Sequence, residues 1–274
     1  MHDRVGRSRG NWGRMGRRMA AGGVMCLAML LGVSVSCSRA SAPGGSLASA
    51  DPTWRMAVAL ARANRDWVPG LVRVRVELLD SSGKPEHSQE VWTRVEMGPE
   101  GDLVASQVWF AEDGAVASSD EQRPARGLLR DGQSPAGLPP LELFRGSLFD
   151  PEVQKDVSAS RTGERRDFDG SQCIAFAFSQ RKADGISRGI AWLDEATGAP
   201  VKVQVTGGRV PGVVGVRAMT VRYGPVEGGA WCAKEMSIEG VLGFMWMRRS
   251  FRIAVVYADH WRIGRGHPHE EGAW

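Results

Sequence analysis

The chain has 274 residues, of which 42% are hydrophobic, 24% charged and 7% aromatic. This composition is typical of a globular protein and excludes a wholly disordered chain or a miniprotein held by disulfides. Six arginines lie within the first 36 residues, and the remainder has 29 basic and 30 acidic residues, so the formal net charge of +4 becomes −1 after residue 36. The positive charge belongs to the leader and does not form a basic stripe on a folded surface, so we expect no nucleic-acid partner.

Residues 1–36 are predicted to be an export signal. The six arginines precede an apolar run at 24–35, which is 12 residues long and is followed by small and polar residues. That length suits the hydrophobic region of a signal peptide and is short of the ~20 residues that a membrane-spanning helix needs. We therefore expect the chain to leave the cytoplasm.

Cys37 lies just beyond the apolar run, after Ser36, and this layout resembles a bacterial lipoprotein signal, in which such a cysteine is acylated. Ser36 fits that pattern, whereas Ser34 occupies a position where those signals usually carry an aliphatic residue. Three outcomes stay open: acylation of Cys37, ordinary cleavage after Ala40 or Ala50, and retention of the segment as an anchor. All three export the chain, and acylation would attach it to a membrane through its N-terminus.

Two cysteines, Cys173 and Cys232, lie in the body of the chain. An oxidising compartment permits a disulfide between them. Two free thiols would give the same sequence, because spacing along the chain does not determine disulfide geometry.

The folded unit is predicted to begin near Asp51, after a tether at 37–50 that is rich in Gly, Ser, Ala and Pro. Asp51 and Pro52 are typical of an N-cap and a first helical residue. The residues that follow at helical spacing are Trp54, Ala57, Val58 and Ala61. They predict one amphipathic helix that ends before Trp67.

Beyond residue 70 the hydrophobic period changes to two. Val72, Val74, Val76 and Leu78 alternate with charged residues, and Val91, Thr93, Val95 and Met97 share one side of a second strand at 87–97. A third strand is expected at 103–111. The polar turns between these strands are short, which is typical of antiparallel hairpins and not of parallel crossovers.

The predicted fold class is mainly β with minor α, an antiparallel sheet of about ten strands. After a polar segment at 118–140 and a short apolar piece that ends near Phe149, further strands are expected at 161–168, 171–180, 185–194, 201–207, 213–223, 230–240 and 242–257. The long middle segment is interpreted as a lid or a linker. One domain is expected over 51–261, followed by a disordered tail at 262–274.

The catalytic signatures of serine hydrolases, zinc proteases, nucleotide-binding loops and redox dithiols are absent from the sequence. Ser179 and Lys182 match a Ser-x-x-Lys spacing, but a strand end explains them better. Asp167 and Asp169 are explained by a hairpin tip. His267 and His269 are explained by a solvated tail. We therefore expect no enzyme activity, no cofactor and no metal.

Tryptophan is unusually frequent, with ten Trp against two Tyr. Trp92 alternates with Glu90 and Arg94, which predicts a position on the solvent-facing side of its strand. An exposed tryptophan can contact a partner or a membrane surface, or it can fill the space beneath a loop.

The order of elements resembles the lipoprotein-carrier families of the bacterial periplasm, the LolA and LolB kind. The residues that carry the resemblance are the helix before the first hairpins, Phe149-Asp150-Pro151 ahead of Gln154, and the runs 168–176 and 191–200. The resemblance implies an open, strongly curved antiparallel sheet, a half-barrel with the helix and a helical or loop plug in its concavity. It covers about 51–261, and its motifs are short and turn-like.

The resemblance further implies that the concave face holds a lipid or lipoprotein acyl chain, and that the protein acts as carrier or receptor. The candidate cavity residues are Val72, Val74, Val76, Val91, Val95, Ile174, Phe176 and Phe178. The same residues could instead form a solid core. In that case the protein is a non-enzymatic interaction module with an envelope protein as partner. Either role implies the periplasm or, with a lipid anchor, the outer membrane of a bacterium with two membranes.

Overall fold

A computed structural model describes residues 51–98, 103–116, 147–182, 185–209, 214–244 and 247–264. The predicted export signal, tether and Cys37 lie outside the described residues. So do the polar segment at 118–140, the start of the apolar piece that follows it, and most of the predicted tail. Within the described ranges, no helix has the length and apolar character that crossing a membrane requires.

Helix α1 spans Pro52–Ala63 and confirms the predicted N-terminal helix. The Asp51 side chain accepts hydrogen bonds from the backbone N–H of Thr53 at 2.8 Å and of Trp54 at 3.4 Å. This cap satisfies two of the N–H groups that a helix start leaves free, and Pro52 supplies the helical φ angle. A 3₁₀ helix at Pro151–Asp156 is the second helical element in the described ranges and begins at the Asp150 cap.

Eleven strands of the described ranges form one antiparallel sheet. They are β1 Trp67–Leu79, β2 Pro85–Met97, β3 Leu103–Glu112, β4 Ala115–Val116, β5 Val157–Phe168, β6 Ser171–Lys182, β7 Gly185–Asp194, β8 Pro200–Arg209, β9 Val214–Pro225, β10 Trp231–Phe244 and β11 Met247–Arg262. The predicted mainly-β class with an open antiparallel sheet is confirmed. β11 passes the predicted domain end by one residue.

The strand order is β4-β3-β2-β1-β11-β10-β9-β8-β7-β6-β5. Every neighbouring pair is consecutive in the chain except β1 and β11, which pair over almost their whole length. The sheet is open, with β4 at one edge and β5 at the other. Register shifts interrupt five strand pairs, and such bulges bend strands and increase their twist.

The predicted break at residues 240–242 is wrong. β10 continues through Gly240 to Phe244, and Phe244 pairs with Met247 across the hairpin. Gly240 is needed there because a Cβ atom would lie 2.5 Å from the Phe251 ring and 2.6 Å from the Gly215 carbonyl oxygen. A glycine that looked like a turn signal is instead a site of close approach inside a strand.

Candidate functional site on the apolar inner face

One face of the sheet, which we call the inner face, is apolar across most of its width. A single row of directly opposed residues crosses eight strands, and direct opposition places side chains on the same face. From β2 to β6 the row is Val91, Val74, Val255, Met236, Val221, Val203, Ala191 and Phe176. The inner face carries two clusters that meet where β8 pairs with β9.

The first cluster, the helix-covered cluster, joins β5 to β8 with α1 and the segment before β5. Its buried members are Trp54, Ala57, Leu148, Phe149, Val157, Ala159, Ile174, Phe176, Phe178, Ala191, Leu193 and Val203. The Trp54 ring centroid lies 5.1 Å from that of Phe149 and 5.5 Å from that of Phe176. Phe149 and Phe176 are both 0% exposed. This part of the inner face is a filled core.

A hydrogen-bond chain holds α1 to the 3₁₀ helix. The Trp54 indole N–H donates to Oε1 of Gln154 at 2.9 Å, and Nε2 of Gln154 donates to the carbonyl oxygens of Leu148 at 2.7 Å and Asp150 at 3.1 Å. The run from Phe149 to Gln154, which carried part of the sequence resemblance, therefore fixes the helix against the sheet.

Further contacts fix both ends of α1. Arg161 on β5 forms an ion pair with Asp51 at 3.2 Å, and its Nη2 donates to the Thr53 hydroxyl at 3.0 Å. At the other end, the Asn64 side-chain amide donates to the Trp231 carbonyl oxygen at 3.0 Å. An element held at both ends and along its buried side is a structural plug.

The turn between β7 and β8 is shaped to admit the helix. Gly198 has φ +70°, and a Cβ atom there would lie 2.4 Å from Cβ of Met56 and 2.9 Å from the Thr53 carbonyl oxygen. Asp194 fixes the turn by accepting from the Thr197 backbone N–H at 2.8 Å and the Thr197 hydroxyl at 2.7 Å. The Asp and Thr-Gly residues of the run 191–200 therefore position α1.

The second cluster, the strand-only cluster, occupies the other half of the inner face. Its buried members are Val72, Val74, Val95, Met236, Ile238, Phe251, Ile253, Val255 and Tyr257. In the described part of the chain, all its members and all the half-buried side chains packed on it come from strands, and none comes from α1 or the 3₁₀ helix. None of them carries a charge.

The side chains of the strand-only cluster are shielded from solvent, and Val255, for example, is 1% exposed. Burial also raises the pKa of the Tyr257 phenol above its ordinary value, with Tyr223 as a second cause. Apolar side chains at this depth suit apolar contacts and would not by themselves stabilise a buried ion.

The structure divides the predicted cavity residues between the two clusters. Val72, Val74, Val76 and Val95 belong to the strand-only cluster, and Val91 lies directly opposite Val74. Ile174, Phe176 and Phe178 belong to the helix-covered cluster and pack into its core.

Sequence reasoning missed the contribution of β10 and β11 to this face. Ile253, Val255 and Tyr257 occupy every second position of β11, and this spacing alone would have placed them on one face of a strand. The pairing of β11 with β1, which makes them neighbours of the predicted set, is not readable from local pattern.

On the outer face, Trp92 is 41% exposed, which confirms its predicted solvent-facing side. The Arg73 guanidinium lies 5.3 Å from its ring centroid, and its indole N–H donates to Glu90. A cation over an indole face and an accepting carboxylate beside it account for an exposed tryptophan without a partner.

The disulfide that the sequence permitted between Cys173 and Cys232 is not formed, and both thiols are free. The two residues lie on β6 and β10 with three strands between them. Four strand spacings correspond to about 19 Å, far beyond disulfide reach. Burial raises the pKa of each thiol to about 11, so neither is a reactive thiolate at neutral pH.

Comparison with known proteins finds no matching family model and no matching curated protein. Among solved structures, the chain is similar to a DUF1329 family protein from Desulfovibrio piger, with 11% identity, a TM-score of 0.35, and coverage of 83% of this chain and 96% of that one. It is similar to a putative outer membrane lipoprotein-sorting protein domain from Vibrio parahaemolyticus, with 14% identity, a TM-score of 0.34, and coverage of 78% and 94%.

A LolA superfamily protein from Nitrosomonas europaea is also similar, with 12% identity, a TM-score of 0.30, and coverage of 76% of this chain and 90% of that one. The kind of protein named by the sequence resemblance is therefore among the structures to which this chain is similar. At these identities the likeness concerns the fold alone.

Proposed function

We propose that this protein is a non-enzymatic, exported envelope protein that binds a lipid or lipoprotein acyl group without covalent chemistry, as a carrier or a receptor. The proposed site is the strand-only cluster with Val91. The observation that supports the proposal is a buried apolar cluster built from strands, with half-buried Val76 and Val91 beside it, to which no helix contributes in the described ranges. The predicted export signal and Cys37 extend the proposal to the periplasm or a lipid-anchored outer-membrane location.

The physical basis is the transfer of acyl methylene groups from water to this surface. Each buried CH₂ contributes about 0.8 kcal/mol, so even a partly buried chain gains several kcal/mol without any charged contact. The valines of β1 and β2 present short, stiff side chains on a pleated surface.

The helix-covered cluster is not part of the proposed site. Its aromatic side chains already contact each other, and α1 is fixed by the Asp51–Arg161 ion pair and the Trp54–Gln154 hydrogen bond. An acyl chain would have to displace this core at a cost of several kcal/mol. Ile174, Phe176 and Phe178 are therefore proposed to support the fold beside the ligand.

The test is displacement of a fluorescent fatty-acyl ester probe by unlabelled lipid, with variants that fill the proposed site. Val76 and Val91 are half-buried, so Val76→Trp and Val91→Trp place a large ring on the ligand surface with limited disturbance of the core. We expect each to weaken probe binding about tenfold or more, because the ring takes the volume of several methylene groups.

Val256→Trp is the matched control. Val256 follows Val255 on β11 and is 41% exposed on the opposite face of the sheet. The control should bind the probe as the unaltered protein does. Unchanged affinity in both inner-face variants, with unfolding temperatures close to that of the control, would contradict the proposed site.

The second candidate function is a protein-interaction module that uses the same fold with a filled core. The helix-covered cluster favours it, since half of the inner face is already occupied by the protein's own side chains. This alternative predicts that protein stripped of lipid fails to bind the probe at all. Binding of the probe that Val76→Trp abolishes would exclude it.

A further inference from the structure

A buried hydroxyl lies at the proposed acyl site without a hydrogen-bond partner. Thr93 is 3% exposed, and its Oγ1 has no partner in the described part of the chain. Burying a hydroxyl without a partner costs free energy, and a valine of nearly the same shape would avoid that cost. The fold alone therefore gives no reason for threonine at this position.

The position of Thr93 relates the hydroxyl to the ligand surface. Thr93 lies on β2 between Val91 and Val95, directly opposite Val72 on β1, and Val72 in turn lies opposite Tyr257 on β11. The Tyr257 hydroxyl lies 4.0 Å from Sδ of Met236. Thr93 thus places a polar atom among the apolar side chains proposed to hold the acyl chain.

We infer that the Thr93 hydroxyl donates a hydrogen bond to the carbonyl oxygen of the bound acyl group, and that the ligand is an acyl ester. This inference rests on the proposed function. A hydroxyl can donate to an ester carbonyl, whereas a plain hydrocarbon offers it no acceptor. The ligand would supply the partner that the hydroxyl lacks among the described residues.

The surroundings favour a neutral ester over a free carboxylate. The neighbours of Thr93 on this face, Val72 opposite it and Val91 and Val95 on its own strand, are apolar, so none of the three would compensate a carboxylate buried beside Thr93. Burying an unpaired carboxylate is far more costly than burying an ester. The acyl esters of membrane lipids and of acylated lipoproteins share the required group.

The substitution Thr93→Val should have opposite effects on the free and the bound protein. It removes the unpartnered hydroxyl, so the unfolding temperature of the lipid-free protein should rise. It also removes the donor to the carbonyl, so affinity for an acyl ester should fall about three- to tenfold, the value of one neutral hydrogen bond. A purely structural role for Thr93 would not produce this pair of changes.

The experiment compares methyl palmitate with octadecane, a hydrocarbon of similar length, as competitors for the fluorescent probe on the full chain. The unaltered protein should prefer the ester by about three- to tenfold, which is one neutral hydrogen bond expressed as a ratio of affinities. Thr93→Val should lose that preference while keeping its affinity for octadecane. Thr93→Ser keeps a donor and should retain the preference.

Each outcome decides between the two proposals. If both competitors bind and Thr93→Val leaves the ester preference unchanged, the Thr93 inference is overturned while the acyl site stands. A fall in the unfolding temperature of Thr93→Val would also overturn it. If neither competitor displaces the probe, the proposed function fails and the Thr93 inference fails with it.

Discussion

The two halves of the inner face share one sheet surface, one alternating pattern and one continuous row of opposed side chains, yet they are completed differently. Over β5 to β8, α1 and the segment before β5 add Trp54 and Phe149, and Gln154 accepts a hydrogen bond from the Trp54 indole. Over β1, β2 and β9 to β11, the described side chains of the cluster come from strands alone. An alternating apolar strand pattern therefore does not reveal whether a helix packs on that face of the sheet.

The largest expected difference between the halves is in the cost of removing a phenylalanine. Phe176→Ala should lower the free energy of unfolding by about 3–5 kcal/mol, because α1 holds the surrounding aromatic side chains and the cavity cannot collapse. Phe251 is 2% exposed in the strand-only cluster and is the matched position. Phe251→Ala should cost less, because no helix is fixed against it and its neighbours can move into the space.

Chemical denaturation of both variants in lipid-free protein measures this difference. Equal destabilisation by Phe251→Ala and Phe176→Ala would contradict the predicted difference between the halves. The strand-only cluster would then be packed as rigidly as the helix-covered one.

The next effect concerns the close approach of α1 to the sheet. Gly198→Ala adds a Cβ atom against Met56 at a φ of +70°, so it should both strain the backbone and push the helix away. Gly83 has φ +81° with nothing within 4 Å of the added atom, and serves as the control. Gly83→Ala should cost only the roughly 1–2 kcal/mol of a left-handed alanine.

Thermal unfolding of both glycine variants isolates the helix contact. Gly198→Ala should be the less stable by a clear margin. Equal losses would mean that α1 is not closely packed on the turn and that the plug is looser than the contacts indicate.

A smaller effect is expected from His260, at the end of β11. Burial, the largest cause, lowers its pKa, and Lys234 lowers it further, while the hydrogen bond to the Ala233 carbonyl at 3.1 Å and Asp259 act in the opposite direction. The folded state therefore takes up this proton less readily than the unfolded state. The folded state is therefore favoured by neutral His260. This contribution to the free energy of unfolding is fully present above the ordinary histidine pKa near 6.5 and declines as the pH falls below it.

Unfolding midpoints measured at about pH 7.5 and about pH 5.5 should show this loss, because the histidine of the unfolded state gains its charge over that interval. His260→Gln removes the titrating group and keeps a donor for the Ala233 carbonyl. The decrease in its unfolding midpoint between about pH 7.5 and about pH 5.5 should therefore be smaller. An identical loss in the variant would assign the acid sensitivity to other groups.

The smallest expected effect is that of a reducing agent. Cys173 and Cys232 are free and lie on strands separated by three others. Dithiothreitol should leave the unfolding temperature unchanged. A marked fall on reduction would require a disulfide that this sheet cannot accommodate.

Local features of the fold were readable from the sequence because their causes are local. Asp51 and Pro52 marked the start of α1, and the alternation of Val72, Val74 and Val76 with charged residues marked the inner face of β1. β7 begins at Gly185 and ends at Asp194, as predicted. Each of these depends on capping, backbone preference or periodicity over a few residues.

The remaining features depend on contacts that sequence distance hides. The pairing of β1 with β11 joins residues nearly two hundred positions apart, such as Val72 with Tyr257. It decides which apolar strands become neighbours. Gly240 resembled a turn residue because glycine serves both turns and close approaches, and the nearby Phe251 ring decides between them. The division of the predicted cavity set into a filled and a strand-only half follows from the same long-range packing.

If the proposed function holds, an acyl chain binds the strand-only cluster and leaves the helix-covered cluster untouched. Photo-cross-linking with a fatty-acyl ester that carries a mid-chain diazirine, followed by peptide mass spectrometry, tests it directly. The account predicts labelled residues at 72–95 and 251–257 and none at 174–178. Labelling confined to 174–178, or saturable labelling of the outer face alone, would contradict it.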